Sequence, residues 1–212
     1  MKFLKYSIGV AVIAALGGLA FLYSGVYPMG ADVPHNALTY WALETLRERS
    51  VARASRDIEV PALVDPQMLL SGGADYNEMC SGCHSKPGKT ASDISAGLYP
   101  QPPNLTQGAD AHGHEHGGDE TQDDGRASAA RQFWIIKHGI KASGMAAFGP
   151  THDDERIWAM VAFLQKLPTL SPSQYQILTA RRGMTATEAP QTTRPPALSE
   201  SARTTHADDQ HH

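Results

Sequence analysis

Cys80-Ser81-Gly82-Cys83-His84 constrains this chain more than any other stretch. Two thiols separated by two residues can reach the two vinyl groups of one haem, and the next residue offers an imidazole beneath the iron. That is the pattern by which a c-type haem is attached. Two other chemistries use a Cys-x-x-Cys pair. A redox-active pair has no need of His84, and a four-cysteine zinc site needs a second pair, whereas the whole chain has 2 cysteines. A mixed zinc site borrowing His112, His114 or His116 stays open as an alternative, since imidazole nitrogens suit zinc.

With both cysteines inside one motif, the compartment has to be read from the N-terminus. After Lys2 and Lys5, no charged residue occurs from Tyr6 to Tyr27. That run is long enough to cross a bilayer as a helix. Positive charge on the short leading segment keeps it cytoplasmic, so the rest is expected in the periplasm, tethered to the inner membrane by a single span. A cleaved signal peptide would have a shorter apolar run ending in small residues around an A-x-A-like site. Here Phe21, Leu22, Tyr23, Val26 and Tyr27 carry the apolar run to its end, and a retained anchor over residues 1–27 is expected. The formal net charge of −4 gives no ground for a nucleic-acid partner.

Residues 28–64 read as a juxtamembrane connector with a helix from Thr39 to Arg56. Arg49, Arg53 and Arg56 fall at i, i+4 and i+7 and share one face. Beside a membrane, such a stripe rests on anionic headgroups or docks a partner; elsewhere it is a solvated helix face. The folded domain is expected over 65–170. Asp65-Pro66 is a helix start, an N-cap followed by proline at the first helical position. Leu69, Gly73, Tyr76 and Cys80 then line one side of a helix that delivers the first thiol. Glycine inside a helix costs about 1 kcal/mol relative to alanine, so Gly73 implies another helix crossing closely. Pro87 through Asn104 is a proline-rich loop, suited to lying over a flat ligand or to serving as a plain connector.

Between Gly108 and Gly125 the composition changes to an acidic stretch around His112, His114 and His116, with no lysine or arginine. It reads as a hydrophilic insertion, either a solvated loop or a binder of copper, zinc or nickel. Helix is expected again from Ser128 to His138, burying Phe133, Trp134 and Ile136 and ending at Gly139. A glycine-rich loop, Ser143-Gly144-Met145-Ala146-Ala147-Phe148-Gly149-Pro150, follows. Thr151-His152-Asp153-Asp154 fits a capping box for the last helix. Its Ile157, Trp158, Val161, Leu164 and Leu167 cover much of the circumference, so it should be well buried. Residues 171–212 are rich in Pro, Thr, Ser and Ala, with room for a short helix around Tyr175–Arg182 in an otherwise disordered tail.

If His84 takes one axial position on the iron, the second ligand decides the chemistry. Met145 is the expected one, because a thioether on a loop is free to point at a metal, whereas one on a helix usually fills core. His138, His152 and Met160 are the other candidates. Met160 sits among core residues, and Met68 and Met79 lie too close to the attachment motif in sequence. His84 with Met145 fills both positions, an arrangement that favours a raised potential and electron transfer rather than catalysis on a bound substrate.

These residues carry a resemblance. A helix entering CSGCH, a proline-rich loop, SGMAAFG and the final WAMVAFLQKLP make residues 65–170 similar to class I c-type cytochromes. GVYPMGADVPHNALTYWALETL, ahead of them, resembles the membrane-anchored monohaem cytochromes c of proteobacteria. The resemblance implies an all-α cytochrome c fold, a small helical domain around one covalently bound haem c, preceded by a transmembrane helix. It also implies that the first and last helices cross, with Gly73 and Tyr76 meeting the face that carries Trp158 and Val161. The implied partners are redox proteins: a respiratory complex, a dehydrogenase, or a terminal oxidase or reductase. Ala146 departs from the proline that usually follows the ligand methionine, which implies a softer loop and a more labile sulfur bond. Three further roles stay open: a fixed cytochrome subunit of a membrane oxidoreductase complex, a haem enzyme or gas sensor with a displaceable Met145, and a metal binder built on the histidine loop.

Overall fold

Helix α1 spans Lys2–Ser24, 23 residues with a mean hydropathy of 1.9 and none of its apolar window buried against the rest of the chain. At 1.5 Å per residue it is roughly 35 Å long, enough to cross the hydrocarbon core of a bilayer. It ends where Ser24 Oγ donates back to Phe21 O at 2.7 Å and Gly25 takes a positive φ of 64°. The computed structural model describes residues 2–108 and 122–180; the insertion around His112, His114 and His116 and the tail beyond Ala180 lie outside them. Among the described residues the architecture is entirely helical, with no strand.

Helix α2, Ala37–Ser55, is capped by Asn36, whose side chain accepts from Thr39 N at 2.9 Å. It packs against α6, Gln122–His138, and buries Val51 and Ser55. Glu48 joins the two helices, accepting from Arg131 at 2.6 Å and from Arg47 at 3.0 Å. Burial alone would raise the Glu48 carboxyl, but the two guanidiniums outweigh it and hold the group below its ordinary range. Ile58, Val60 and Leu63 pack onto the core, and Arg126 donates to Val60 O at 3.1 Å. The connector therefore forms part of the helical domain.

Helix α3, Pro66–Asp75, starts as its sequence dictates: Asp65 accepts from Gln67 N at 2.8 Å and Pro66 occupies the first turn. A π-helical turn, Tyr76–Cys80, follows, then α4, Ser81–His84. The wider turn inserts one residue into the helical phase just before the first cysteine. Helix α5, Asp93–Ala96, interrupts the proline-rich stretch, and α7 spans Asp154–Lys166. Helix α8, Pro172–Thr179, lies beyond the expected domain end at 170 and packs on α3 with Tyr175 buried.

The crossing of α3 with α7 is tighter than expected and lies one residue earlier. A Cβ on Gly72 would stand 1.9 Å from Ala159 O, whereas one on Gly73 would meet the Phe163 ring and Leu178 O at 2.9 Å. Gly73 and Tyr76 thus face Phe163, Leu167 and Tyr175 rather than Trp158 and Val161. Those two belong to a second cluster, with Phe133, Ile136, Ile157 and Met160, in which the Phe133 and Trp158 rings stack 4.1 Å apart. The rotation follows from Gly72: the absent side chain fixes which face of α3 presses on α7. Each large side chain buried in these clusters contributes about 1.5–3 kcal/mol.

Several helix ends differ from the sequence reading. Helix α6 begins at Gln122 rather than Ser128, and Trp134 is only half-buried, its ring 4.9 Å from that of His138. Asp153, not Thr151, caps α7, accepting from Arg156 N at 2.9 Å. Thr151 is occupied elsewhere, its hydroxyl donating to Phe148 O at 3.2 Å.

Arg156 also clamps α7 to α3. Its guanidinium makes a two-pronged pair with buried Asp75, Nε to Oδ2 at 2.6 Å and the terminal nitrogen to Oδ1 at 2.8 Å. The hydrogen bond to Asp75 raises the guanidinium pKa above its ordinary value. Arg156→Ala is expected to cost about 2 kcal/mol, below the usual loss for a buried pair because Arg156 is itself partly solvated. Urea unfolding of the variant against wild type measures it, and an unchanged midpoint would refute the clamp.

Candidate functional site

The three motif residues are delivered by one stretch of backbone. Cys80 closes the π-helical turn, Cys83 lies in α4, and His84 is the last residue of that helix. The two thiols are half-buried and are not joined to each other. The chain leaves α4 through Ser85 at a φ of 69°, a left-handed conformation uncommon for a non-glycine residue. Tyr76 holds that exit: its hydroxyl donates to Ser85 O at 2.8 Å and to His84 O at 3.2 Å. Burial, helped by Cys80 and Tyr175, pushes the phenol pKa upward, so the group stays a donor. On the other side of α4, Ser92 Oγ donates to Gly82 O.

His84 is oriented by the proline-rich stretch. Its Nδ1 lies 2.9 Å from Pro103 O. A carbonyl only accepts, so Nδ1 carries the proton and Nε2 the lone pair. The same stretch reaches the methionine loop: a Cβ on Gly144 would stand 3.0 Å from Leu98 Cδ2. Residues 98–103 therefore touch the His84 side of the site at one end and the neighbour of Met145 at the other.

Met145 is half-buried on a loop that α6 holds in shape. Its amide donates to Ser143 Oγ at 3.1 Å and its carbonyl accepts from Ile140 N at 3.1 Å. Further along, Phe148 N donates to Ile136 O at 3.0 Å and Gly149 N to Lys137 O at 2.9 Å. Gly139 makes the turn out of α6 at a φ of 64°, and a Cβ there would be 2.7 Å from Met145 O, Ala146 C and Ala147 N. Gly139→Ala is accordingly expected to cost at least about 2 kcal/mol, from left-handed strain together with displacement of the loop. Thermal unfolding checks it, and a wild-type melting temperature would show that the loop gives way freely.

The other candidate ligands have different surroundings. Met160 is 1% exposed inside the Phe133–Trp158 cluster. His138 is exposed and lies against Trp134, while His152 packs edge-on to Phe148 with Nδ1 2.8 Å from Thr151 Oγ1.

The site fits a covalently attached haem better than the thiolate chemistries. Burial, then the nearby Asp75 and Cys83, push the Cys80 thiol up to about 12. A redox-active cysteine pair needs the opposite, a lowered pKa and a standing thiolate. Among the described residues, no three His, Cys, Asp or Glu side chains come together in a metal-holding group. Two half-buried thiols, that of Cys80 held neutral, beside an imidazole whose Nε2 holds its lone pair, suit a covalently attached haem.

Pro103 O, the Tyr76 hydroxyl and the Asp75–Arg156 pair support the site in roles that no sequence pattern marks. The proline-rich loop was the only signal for Pro103, and it does not say which carbonyl turns inward. Asp75 and Arg156 are 81 residues apart, with no shared motif.

Residues 67–164 match the family model described as cytochrome C oxidase, cbb3-type, subunit III. No match was found among curated proteins or among solved structures.

Proposed function

We propose that this chain, whose residues 67–164 are a c-type cytochrome domain with covalently attached haem c, carries one electron at a time with His84 and Met145 as axial ligands. The haem supplies the one-electron change of its iron. Cys80 and Cys83 hold it by thioether bonds, and His84 faces the iron through Nε2 because Pro103 O fixes the proton on Nδ1. Met145 fills the opposite position, leaving no site for a small-molecule substrate. Ile157, Val161 and Phe163, all with 0% exposure, line a core that keeps water from that side of the domain. The observation that carries this reading is the single stretch, Leu98 to Pro103, that reaches both the His84 ring and the loop of Met145.

Helix α1 is the membrane anchor in this reading. Lys2 and Lys5 at its N-terminal end support a cytoplasmic N-terminus, and therefore a haem domain on the periplasmic face of the inner membrane. An absorption spectrum of the purified protein, oxidised and then reduced with and without carbon monoxide, tests the ligation. The expected result is the weak far-red band of sulfur-ligated haem and a reduced form that ignores carbon monoxide. Ready carbon monoxide binding would instead put an enzyme or gas sensor ahead.

The family match favours a second reading, a fixed cytochrome subunit of a membrane oxidase complex. Copurification with haem-containing membrane subunits after mild detergent extraction supports it; recovery of this chain alone supports the free carrier.

A further inference from the structure

Helix α2 keeps one face that the domain does not use. Leu38, Trp41 and Leu46 are 73%, 64% and 67% exposed. At 100° per residue they share a side with Arg49, Arg53 and Arg56, all exposed and with no partner among the described residues. Both carboxylates of the helix point elsewhere: Glu44 pairs with Arg47, and Glu48 with Arg47 and Arg131. The outer face thus presents Leu38, Trp41 and Leu46 over its first part and, as its only charged groups, the three arginines after that. Tryptophan and leucine beside arginine are the side chains that settle at a membrane interface, the rings at headgroup depth and the guanidiniums on anionic headgroups.

The chain also confines this face near a bilayer. Only residues 25–36 separate α1 from α2, at most roughly 40 Å if extended. They are shorter than that, because Tyr27 Oη and His35 Nδ1 bond at 2.8 Å and Val33 N turns back to Gly30 O at 3.2 Å. The His35 ring in turn packs edge-on against Tyr99, 5.6 Å away on the loop beside the haem site.

We infer that the outer face of α2 lies on the anionic surface of the membrane that α1 spans, holding the haem domain in one orientation against the bilayer. The inference rests on reading α1 as an anchor. Its occupant is anionic lipid: the cationic half gives charge complementarity, the apolar half gives interfacial depth, and the short link to α1 gives continuity. Each arginine near an anionic surface contributes enough for the three together to shift the docked-to-undocked ratio by about 100-fold.

The test uses the full holoprotein carrying Leu46→Cys with a nitroxide label, reconstituted in vesicles of neutral phosphatidylcholine or with added phosphatidylglycerol. In anionic vesicles the label should collide more with oxygen than with a water-soluble nickel chelate. In neutral vesicles, or with Arg49, Arg53 and Arg56 all changed to glutamine, it should return to water. A label exposed to the chelate in both vesicle types, in protein that floats with the vesicles, overturns the inference while leaving the anchor intact. Protein stripped from the vesicles by alkaline wash overturns the anchor and the inference with it. A label shielded in native membranes but exposed in anionic vesicles assigns the face to a protein partner and also overturns it.

Discussion

Met145→Ala is expected to abolish the far-red sulfur band and to turn an inert site into one that binds carbon monoxide in the reduced state. Alanine has no donor atom, Met160 is locked in the core, and His152 packs against Phe148 with Nδ1 turned to Thr151. The reduction potential should fall sharply, because the thioether is the ligand that raises it in His/Met sites. Since Met145 is half-buried on a loop held by main-chain bonds to α6, the fold should survive. Spectra and redox titration of the purified variant, with circular dichroism as the folding control, make the measurement. An unchanged band would remove Met145 from the site and bring another thioether, Met68, Met79 or Met160, forward.

Gly72→Ala is expected to be the most damaging single-methyl change in the domain. The new carbon would overlap Ala159 O at 1.9 Å and Ala159 C at 2.3 Å, backbone atoms of α7 that no side-chain rotation can move. The two helices must separate, which loosens Tyr76 against Phe163 and strains the Asp75–Arg156 pair at the same crossing. Overpacking of a tight core costs about 1–3 kcal/mol and sometimes more; a backbone clash this close belongs at or above the upper end. Gly73→Ala should cost less, because two of its three obstructing atoms are on the edge of the Phe163 ring and the third is Leu178 O on the peripheral α8. Gly82→Ala, with nothing within 4 Å, is the control and should leave stability roughly unchanged. Denaturant midpoints of the three variants rank them, and equal losses at Gly72 and Gly82 would mean that α3 and α7 do not cross there.

Much of this was legible in the chain because it is local. The haem motif, the Asp65-Pro66 helix start, the Gly139 stop and the apolar run of α1 each depend on residues within a few positions of one another. The structure starts a helix at Pro66, ends α6 before Gly139, and makes the apolar run helical over Lys2–Ser24, short of Tyr27. Local signals misled where two groups competed for one role. Thr151 and Asp153 both suit a helix cap, and the cap went to Asp153 because the Thr151 hydroxyl is bonded to Phe148 O. Trp134 read as core, yet its position on α6 leaves it half-buried beside His138.

The sequence by itself determined the cofactor, the helical class and the apolar span, since a haem-binding motif and helix formation use short, contiguous patterns. Tertiary structure alone decided which glycine of the Gly72-Gly73 pair meets α7, that Asp75 pairs with Arg156, and that Pro103 supplies the carbonyl for His84. It also brought Tyr175 of α8 into the core and left one face of α2 uncovered. Each of these joins residues distant in the chain, and each is set by how closely two helices can approach or where a loop must lie to close over them. Local patterns carry no such distances; packing sets them.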